Sequence, residues 1–178
     1  MGYLLGEANC ILRLGDIALA RSQHEQARSC YQEALPLYRE VGDRLGEANC
    51  ILRLGDIALD RADPEQARSR YEEALPLYRQ VGELLGEADC IQSLGDIALR
   101  RSDHEQARQN YRTALALYER IREPYSIGWT HVRLARIAPD AQARASHVSA
   151  ARAAWQQIDR PDMLRQLDEE FGQAAAPA

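Results

Sequence analysis

The chain repeats itself every 40 residues, and this periodicity constrains the fold more than any other feature. The segment LGEANCILRLGDIAL starts at Leu5 and again at Leu45, and a close copy, LGEADCIQSLGDIAL, starts at Leu85. Residues 4–43 and 44–83 are identical at 31 of 40 positions, and residues 44–83 and 84–123 at 24, without insertions. Repeats of about 20–50 residues are typical of solenoids, in which each unit buries its apolar face on the next unit.

Each unit is predicted to fold into two antiparallel helices, named helix A and helix B. In the first unit, helix A covers about residues 5–21 and is apolar around most of its circumference, except for one narrow polar strip. Helix B covers about residues 24–41 and has a single apolar face, which is formed by Ala27, Tyr31, Ala34, Leu35, Tyr38 and Val41. Helix A is therefore expected to lie inside the stack, and helix B outside it.

A set of small and aromatic residues recurs at fixed positions in all three units. In the first unit these residues are Leu14, Gly15, Ala18, Ala27, Tyr31 and Ala34. This pattern resembles the tetratricopeptide repeat (TPR) family, and the resemblance implies an all-α fold, a right-handed α-solenoid of antiparallel helix pairs. The unit has 40 residues rather than about 34, and Pro36 and Pro76 lie inside helix B. Both departures resemble the longer-repeat subclass found in spindle-orientation adaptors, kinesin light chains and the sensor arrays of large signalling NTPases.

The repeat pattern decays after Pro124, which defines the expected domain organisation. Residues 1–172 are predicted to form one TPR-like solenoid, with units at 4–43, 44–83 and 84–123, a degenerate fourth unit at 124–158 and a C-terminal capping helix at 161–172. The alanine-rich tail at 173–178 is predicted to be disordered. No comparable cap precedes the first unit. The chain is therefore expected to be a piece of a longer array or, as the less favoured alternative, to have this end covered by another molecule.

The composition excludes several classes of function. The net charge of −5 is mild and spread along the chain, so no nucleic-acid partner is expected, because such a partner requires a strongly basic face. No apolar run approaches the roughly 18–20 residues that a bilayer requires, so no membrane association is expected. The first residues lack a basic region and a cleavage site. The protein is therefore predicted to be cytoplasmic.

The sequence contains no constellation that predicts a catalytic site, a metal site or a cofactor. Cys10, Cys50 and Cys90 occupy the same repeat position, and no Cys-x-x-Cys or Cys/His spacing accompanies them. They are predicted to be small, buried core residues without disulfide bonds. His24 and His104 lie at the turn between helices A and B, where the second unit has proline, and a position that accepts proline does not indicate a general base.

The polar strip of helix A is the candidate binding surface. In TPR proteins, helix A lines the concave groove that binds extended or helical segments of partners, so the resemblance implies that these residues contact a partner. The predicted contact residues, named the groove strip, are Asn9, Arg13 and Asp16 in the first unit; Asn49, Arg53, Asp56 and Asp60 in the second; Asp89, Ser93, Asp96 and Arg100 in the third; and Trp129, Arg133 and Arg136 in the fourth.

The charges of the groove strip permit two interpretations in the first two units. Arg13 and Asp16 are spaced i, i+3, and so are Arg53 and Asp56. Such pairs either contact a partner or neutralise each other, with a stabilisation of about 0.2–0.5 kcal/mol for each pair. The sequence leaves both interpretations open.

The third and fourth units break this pairing. Ser93 replaces the arginine, so Asp96 loses its local partner, and Asp89 adds a second carboxylate. The fourth unit has arginines at this face without an acid on the same helix. The groove is therefore expected to be acidic in its middle and basic toward Arg136, with an exposed Trp129. This pattern predicts a partner segment with a basic centre and an acidic group near Arg136.

These observations predict a non-enzymatic protein–protein interaction module or scaffold that binds a peptide or partner segment. Two alternatives remain open from the sequence. One is a self-assembly element, in which the uncapped N-terminal repeat stacks on a second copy to form a homodimer. The other is a sensor fragment of a larger signalling ATPase whose catalytic part lies elsewhere.

Overall fold

The computed structural model describes residues 2–172, and these residues form helices joined by short turns. Nine helices lie in this part of the chain: α1 (Gly2–Ala20), α2 (His24–Val41), α3 (Arg44–Asp60), α4 (Pro64–Val81), α5 (Leu84–Arg100), α6 (His104–Ile121), α7 (Pro124–Arg136), α8 (Ala141–Gln156) and α9 (Pro161–Phe171). The predicted all-α fold is confirmed. The tail predicted to be disordered, 173–178, lies outside the described residues.

The helix ends follow from local sequence signals. Gly42 and Gly82 end α2 and α4 in the left-handed conformation, with φ of 75° and 72°, which is strained for residues with a side chain. The carboxylate of Asp63 accepts a hydrogen bond from the backbone nitrogen of Gln66 at 3.0 Å and caps α4. Gln23 precedes α2 and makes no side-chain capping bond. Strong and weak caps are therefore distributed as the residue types predict.

Successive helices within a repeat pair are antiparallel. The hydroxyl of Tyr31, early in α2, donates a hydrogen bond to Asp16, late in α1, at 2.8 Å. The hydroxyl of Tyr38, late in α2, donates to Asn9, early in α1, at 2.7 Å. The order of contacts along one helix is thus reversed along the other, and the equivalent tyrosines join α4 to α3 in the same way.

Glycines on helix A provide notches for the tyrosine rings of helix B. A Cβ atom at Gly15 would lie 2.7 Å from the ring of Tyr31 in the same pair. A Cβ atom at Gly46 would lie 2.2 Å from the ring of Tyr38, which belongs to the preceding pair. The first contact therefore packs the two helices of one pair together, and the second packs consecutive pairs together. Any larger residue at either glycine would push these helices apart.

The described chain divides into two compact units, one ending at Ile97 and the other beginning at Ala98. From here on, the first and second unit are these two compact parts, and the 40-residue blocks are called repeats. The core of the first unit is built from the alanines, tyrosines and branched aliphatic residues of α1 to α5. In the second unit, residues of α7, α8 and α9 form one core cluster, and residues of α6 and α7 contribute to another. A single solenoid domain over 1–172 stays a prediction.

The first helix differs from its repeats although its sequence is nearly the same. Leu14 on α1 is 57% exposed, whereas the equivalent Leu54 on α3 is 6% exposed. Cys10 is likewise exposed, whereas Cys50 is buried. The prediction of a buried cysteine in every repeat is therefore wrong for Cys10. The physical reason is that α3 is covered by the preceding pair, whereas no described element covers this side of α1.

The last helix pair keeps the notch but changes the ring. A Cβ atom at Gly128 on α7 would lie 2.2 Å from Trp155 of α8, so an indole occupies the notch. The indole nitrogen donates a hydrogen bond to the backbone oxygen of Tyr125 at 3.2 Å. Leu167 of α9 is buried in the same cluster as Val132 and Trp155. Helix α9 thus packs on α7 and α8, and its role as a capping helix stays a prediction.

Two histidines contact each other inside the second unit. The Nδ1 atoms of His131 on α7 and His147 on α8 are 3.1 Å apart. His131 occupies the repeat position of the buried Ile51. Burial and the neighbouring imidazole lower the pKa of His131 from 6.5 to about 4. Burial, followed by the positive charge of Arg112 on α6, lowers the pKa of His147.

We predict that Gly46→Ala destabilises the protein and that Gly6→Ala does not. Both glycines have the same repeat position, but no atom lies within 4 Å of a Cβ at Gly6. Gly46→Ala should lower the free energy of unfolding by about 1–3 kcal/mol through overpacking. Gly6→Ala should raise it by about 0.5–1 kcal/mol through helix propensity. Urea denaturation of both variants provides the measurement, and equal effects would contradict the proposed notch.

We predict that the second unit loses stability as the pH falls from about 6.5 to about 4. Unfolded His131 takes up a proton below its ordinary pKa of 6.5, whereas folded His131 does so only near 4, so acid favours unfolding across this window. The loss should be about 1–2 kcal/mol, less than the full shift implies because solvent reaches part of the pair.

His131→Ile restores the residue of the earlier repeats and should remove most of this pH dependence. Tryptophan fluorescence during urea denaturation reports on this unit, because both tryptophans of the chain, at 129 and 155, lie in it. An unchanged pH profile in the variant would exclude His131 as the cause.

Candidate partner-binding surface

The structure places the groove strip on the first helix of each pair. The first unit contains the strip residues of α1, α3 and most of α5, namely Asn9, Arg13, Asp16, Asn49, Arg53, Asp56, Asp60, Asp89, Ser93 and Asp96. The second unit contains Arg100, at the end of α5, and the three residues of α7, Trp129, Arg133 and Arg136. A groove that is continuous through both units stays a prediction.

Buried tyrosines hold four polar residues of the strip in place. Tyr31 donates to Asp16 at 2.8 Å, and in the next pair Tyr71 donates to Asp56 at 3.0 Å. The two asparagines of the strip accept equivalent bonds from Tyr38 and Tyr78 at 2.7 and 2.8 Å. The rings of all four tyrosines are buried. These strip residues therefore satisfy core hydroxyls in addition to any role in binding, a function that the sequence analysis missed.

Arg53 connects the carboxylates of two consecutive pairs. It lies 3.3 Å from Asp56 on its own helix and 3.7 Å from Asp16 on α1. The side chains of Arg53, Asp16 and Asp56 are 45%, 43% and 32% exposed. The expected pairing within the helix is thus found for Arg53. In residues 2–172, Asp16 pairs with Arg53 of the next repeat, and Arg13 is exposed without an ion-pair partner.

Burial shifts the pKa values of the strip and its tyrosines. It raises the pKa of the Asp56 carboxyl, against the opposing effects of Arg53 and of the hydrogen bond from Tyr71. Burial also raises the pKa of Tyr38 to about 12 and that of Tyr71 well above its usual range. The tyrosine hydroxyls therefore stay protonated at neutral pH and act as hydrogen-bond donors to the strip.

The remaining strip residues of the first unit also have neighbours. Asp60 lies 3.8 Å from His24 Nδ1, at the turn end of its pair. Ser93 makes a hydrogen bond to Tyr71. Asp89 and Asp96 each have an interaction partner. The replacement of arginine by Ser93 therefore does not leave Asp96 without a partner.

The strip residues of the second unit are less available than expected. Trp129 is partly buried and packs edge-on against Trp155, with ring centroids 5.1 Å apart, so the expectation of an exposed Trp129 is wrong. Arg136 makes two bonds to Glu170 of α9, at 2.7 and 2.8 Å. Arg133 donates to the backbone oxygen of Trp129 at 3.4 Å. A partner carboxylate at Arg136 would have to displace Glu170.

Two other kinds of feature were expected to be absent, and the described residues contain neither. Within residues 2–172, no group of three or more His, Cys, Asp or Glu side chains is arranged to hold a metal ion. None of the helices described is both long enough and apolar enough to span a bilayer.

We predict that Asp56→Ala and Asp56→Asn have different effects on stability. Asp56→Ala leaves the buried Tyr71 hydroxyl without its acceptor and should lower the free energy of unfolding by about 1–3 kcal/mol. Asp56→Asn keeps an acceptor oxygen for Tyr71 and removes only a partly exposed charge, so the change should stay below about 0.5 kcal/mol. Urea denaturation distinguishes the two variants, and equal losses would show that the hydrogen bond does not matter.

Two family models match the chain, and both describe repeats. The model described as Tetratricopeptide repeat matches residues 7–80, and the model described as SHNi-TPR matches residues 88–124. Together they cover more than half of the chain. No protein in a search of curated proteins matches it significantly.

The chain is similar to several solved structures. It resembles BtubC (BKLC) from P. vanneervenii with a TM-score of 0.73 and 19% identity, over 96% of this chain and 67% of that chain. It resembles the apo form of RapI with a TM-score of 0.81 and 14% identity, over 92% of this chain and 61% of that one. It also resembles a Rap protein complexed with Competence and Sporulation Factor, with a TM-score of 0.61 and 15% identity, over 94% of this chain and 58% of that one.

The chain thus spans about three fifths of the length of the two Rap structures. At these identities the similarity shows the fold alone, which is a helical solenoid of TPR type. TPR families are typically non-catalytic interaction modules, and neither matched model indicates an enzyme family. From its 40-residue helix pairs, its glycine–tyrosine contacts and the two model matches, the chain belongs to the tetratricopeptide repeat family.

Proposed function

We propose that the chain is a non-enzymatic scaffold that binds an extended segment of a partner protein along the groove strip of its first unit. The observation that carries this proposal is the cluster formed by Asp16, Arg53 and Asp56. These charged side chains come from two consecutive helix pairs, contact one another at 3.3 and 3.7 Å, and are each a third to a half exposed. Membership of the TPR family supports the coarse function of a protein–protein interaction scaffold.

The tyrosine hydroxyls prepare this surface for binding. Tyr31 and Tyr71 fix the carboxylates of Asp16 and Asp56 before any partner arrives. Ordered side chains lose less conformational entropy on binding than free ones, so more of the interaction energy contributes to affinity. The same hydrogen bonds fix the direction in which the carboxylates face.

The charge of the strip favours a basic partner segment. In the first unit the strip contains five aspartates and two arginines. An extended segment with lysine or arginine in its centre would complement this surface, and its binding would weaken as salt screens the charges. A Rap protein of similar fold forms a complex with Competence and Sporulation Factor, and this supports the proposal that a solenoid of this type binds a partner.

We predict that charge removal on the strip weakens the binding of basic peptides. The variant Asp16→Asn/Asp56→Asn keeps acceptors for both tyrosines, so the fold should persist while two negative charges are lost. Calorimetric titration should use synthetic peptides of equal length that differ only in lysine content. The dissociation constant of the lysine-rich peptide should rise about tenfold, which corresponds to about 1.4 kcal/mol.

The matched control is Glu33→Gln/Glu40→Gln, which removes two exposed carboxylates from the outer helix α2 and changes the net charge equally. This control should leave the affinity within about twofold, because exposed charges distant from a binding site contribute little. Equal losses in both variants would indicate a non-specific charge effect. An unchanged affinity in the strip variant would contradict the proposed site.

A second candidate function, self-assembly through the first repeat, is favoured by a different observation. One side of α1 exposes aliphatic residues, and the equivalent residues on α3 are buried. This surface is separate from the groove strip.

A further inference from the structure

One side of α1 carries a continuous exposed stripe with the spacing of a coiled-coil seam. The stripe residues follow one another at intervals of four and three residues along α1, with Arg21 directly after its last residue, and fall within a narrow sector of the helix circumference. They are Tyr3, Glu7, Cys10, Leu14, Ile17 and Arg21, and every one of them is exposed. We name this set the α1 stripe. It is apolar in its middle and has one acidic and one basic residue toward opposite ends.

The equivalent positions on α3 show that the repeat sequence normally buries this side. Leu54 and Ile57 are 6% and 1% exposed, whereas Ile17 on α1 is 50% exposed. Glu47, the equivalent of Glu7, is buried and accepts a hydrogen bond from Arg39 of the preceding pair at 2.8 Å. The same sequence on α1 therefore exposes a side that, on α3, packs against another helix and an arginine.

We propose that a second copy of this chain covers the α1 stripe, with the two α1 helices antiparallel about a two-fold axis near Leu12. In this register Leu14 faces Cys10 of the second copy, and Ile17 faces Glu7 of the second copy. Tyr3 then lies level with Arg21 of the second copy, within reach of a cation–π contact. A two-fold interface repeats each of these contacts, so one stripe supplies both sides.

The charges select the antiparallel arrangement. Glu7 lies in the N-terminal half of the stripe and Arg21 at its C-terminal end. Antiparallel helices bring Glu7 within one turn of Arg21 of the second copy, and they also oppose the helix dipoles favourably. Parallel helices would instead place Glu7 against Glu7 and Arg21 against Arg21, which is repulsive. The stripe is therefore complementary to itself in one direction only.

The proposal does not depend on the groove strip. Arg13 and Asp16 of the strip lie about 80° and about 140° around α1 from the centre of the stripe. The dimer therefore leaves the strip open, and the two proposals are tested by different variants.

The first experiment measures the mass of the full chain across concentration by light scattering or sedimentation. The wild type should form a dimer. Ile17→Asp should raise the dimer dissociation constant about tenfold or more, because it places a second carboxylate opposite Glu7 of the second copy and removes a buried aliphatic contact. Val81→Asp, at an exposed aliphatic residue of α4, is the matched control and should leave the dimer unchanged. Circular dichroism verifies that both variants are folded.

The second experiment tests the register by exchanging charges between copies. Glu7→Arg and Arg21→Glu should each weaken self-association, because like charges then meet. A mixture of the two variants should form a heterodimer, since position 7 of each copy then carries the charge opposite to that at position 21 of the other copy. A monomeric wild type, a dimer that persists in Ile17→Asp, or no recovery on mixing would overturn the proposal. An upstream helix or an unrelated protein would then be the occupant of the stripe.

Discussion

The spacing of the helices in the described chain depends on one kind of contact. In this contact an aromatic ring of helix B lies in the notch left by a glycine of helix A. The ring of Tyr31 occupies the space that a side chain at Gly15 would fill, and the ring of Tyr38 does the same at Gly46. Without these notches the rings would hold the helices apart, and their hydroxyls would not reach the polar residues of helix A. The core packing and the polar surface of the first unit therefore depend on the same contact.

Local sequence rules are sufficient to predict the helices and most of their ends. The left-handed Gly42 and the capping Asp63 follow from residue type and position alone. The same rules fail for Asp16 and Asp56, because the tyrosine that each carboxylate accepts from lies 15 residues away on another helix. The sequence did contain a signal for these hydrogen bonds, since the separation of 15 residues between aspartate and tyrosine recurs in all three 40-residue repeats. Only the contact between helices gives that separation a physical meaning.

Repetition itself limits what a sequence predicts about burial. Leu14 and Leu54 lie in identical segments of fifteen letters, yet one is exposed and the other is buried. Burial depends on the neighbouring helix pair, which the segment does not contain. The same reasoning applies at the other end, where Arg136 pairs with Glu170 because α9 approaches α7. Interior repeats are therefore predictable from the pattern, whereas the first and last helix pairs require the structure.

The contact between Tyr38 and Gly46 has a consequence for how such an array can grow. It joins two helix pairs across the boundary of a 40-residue block, and each of the three blocks has a glycine at this position near its start and a tyrosine at this position near its end. Tandem duplication of one whole block therefore recreates a complete junction on both sides of the insertion. Gene duplication in this register lengthens the protein and keeps each ring beside its glycine, whereas an insertion that is not a whole number of blocks would interrupt this pattern.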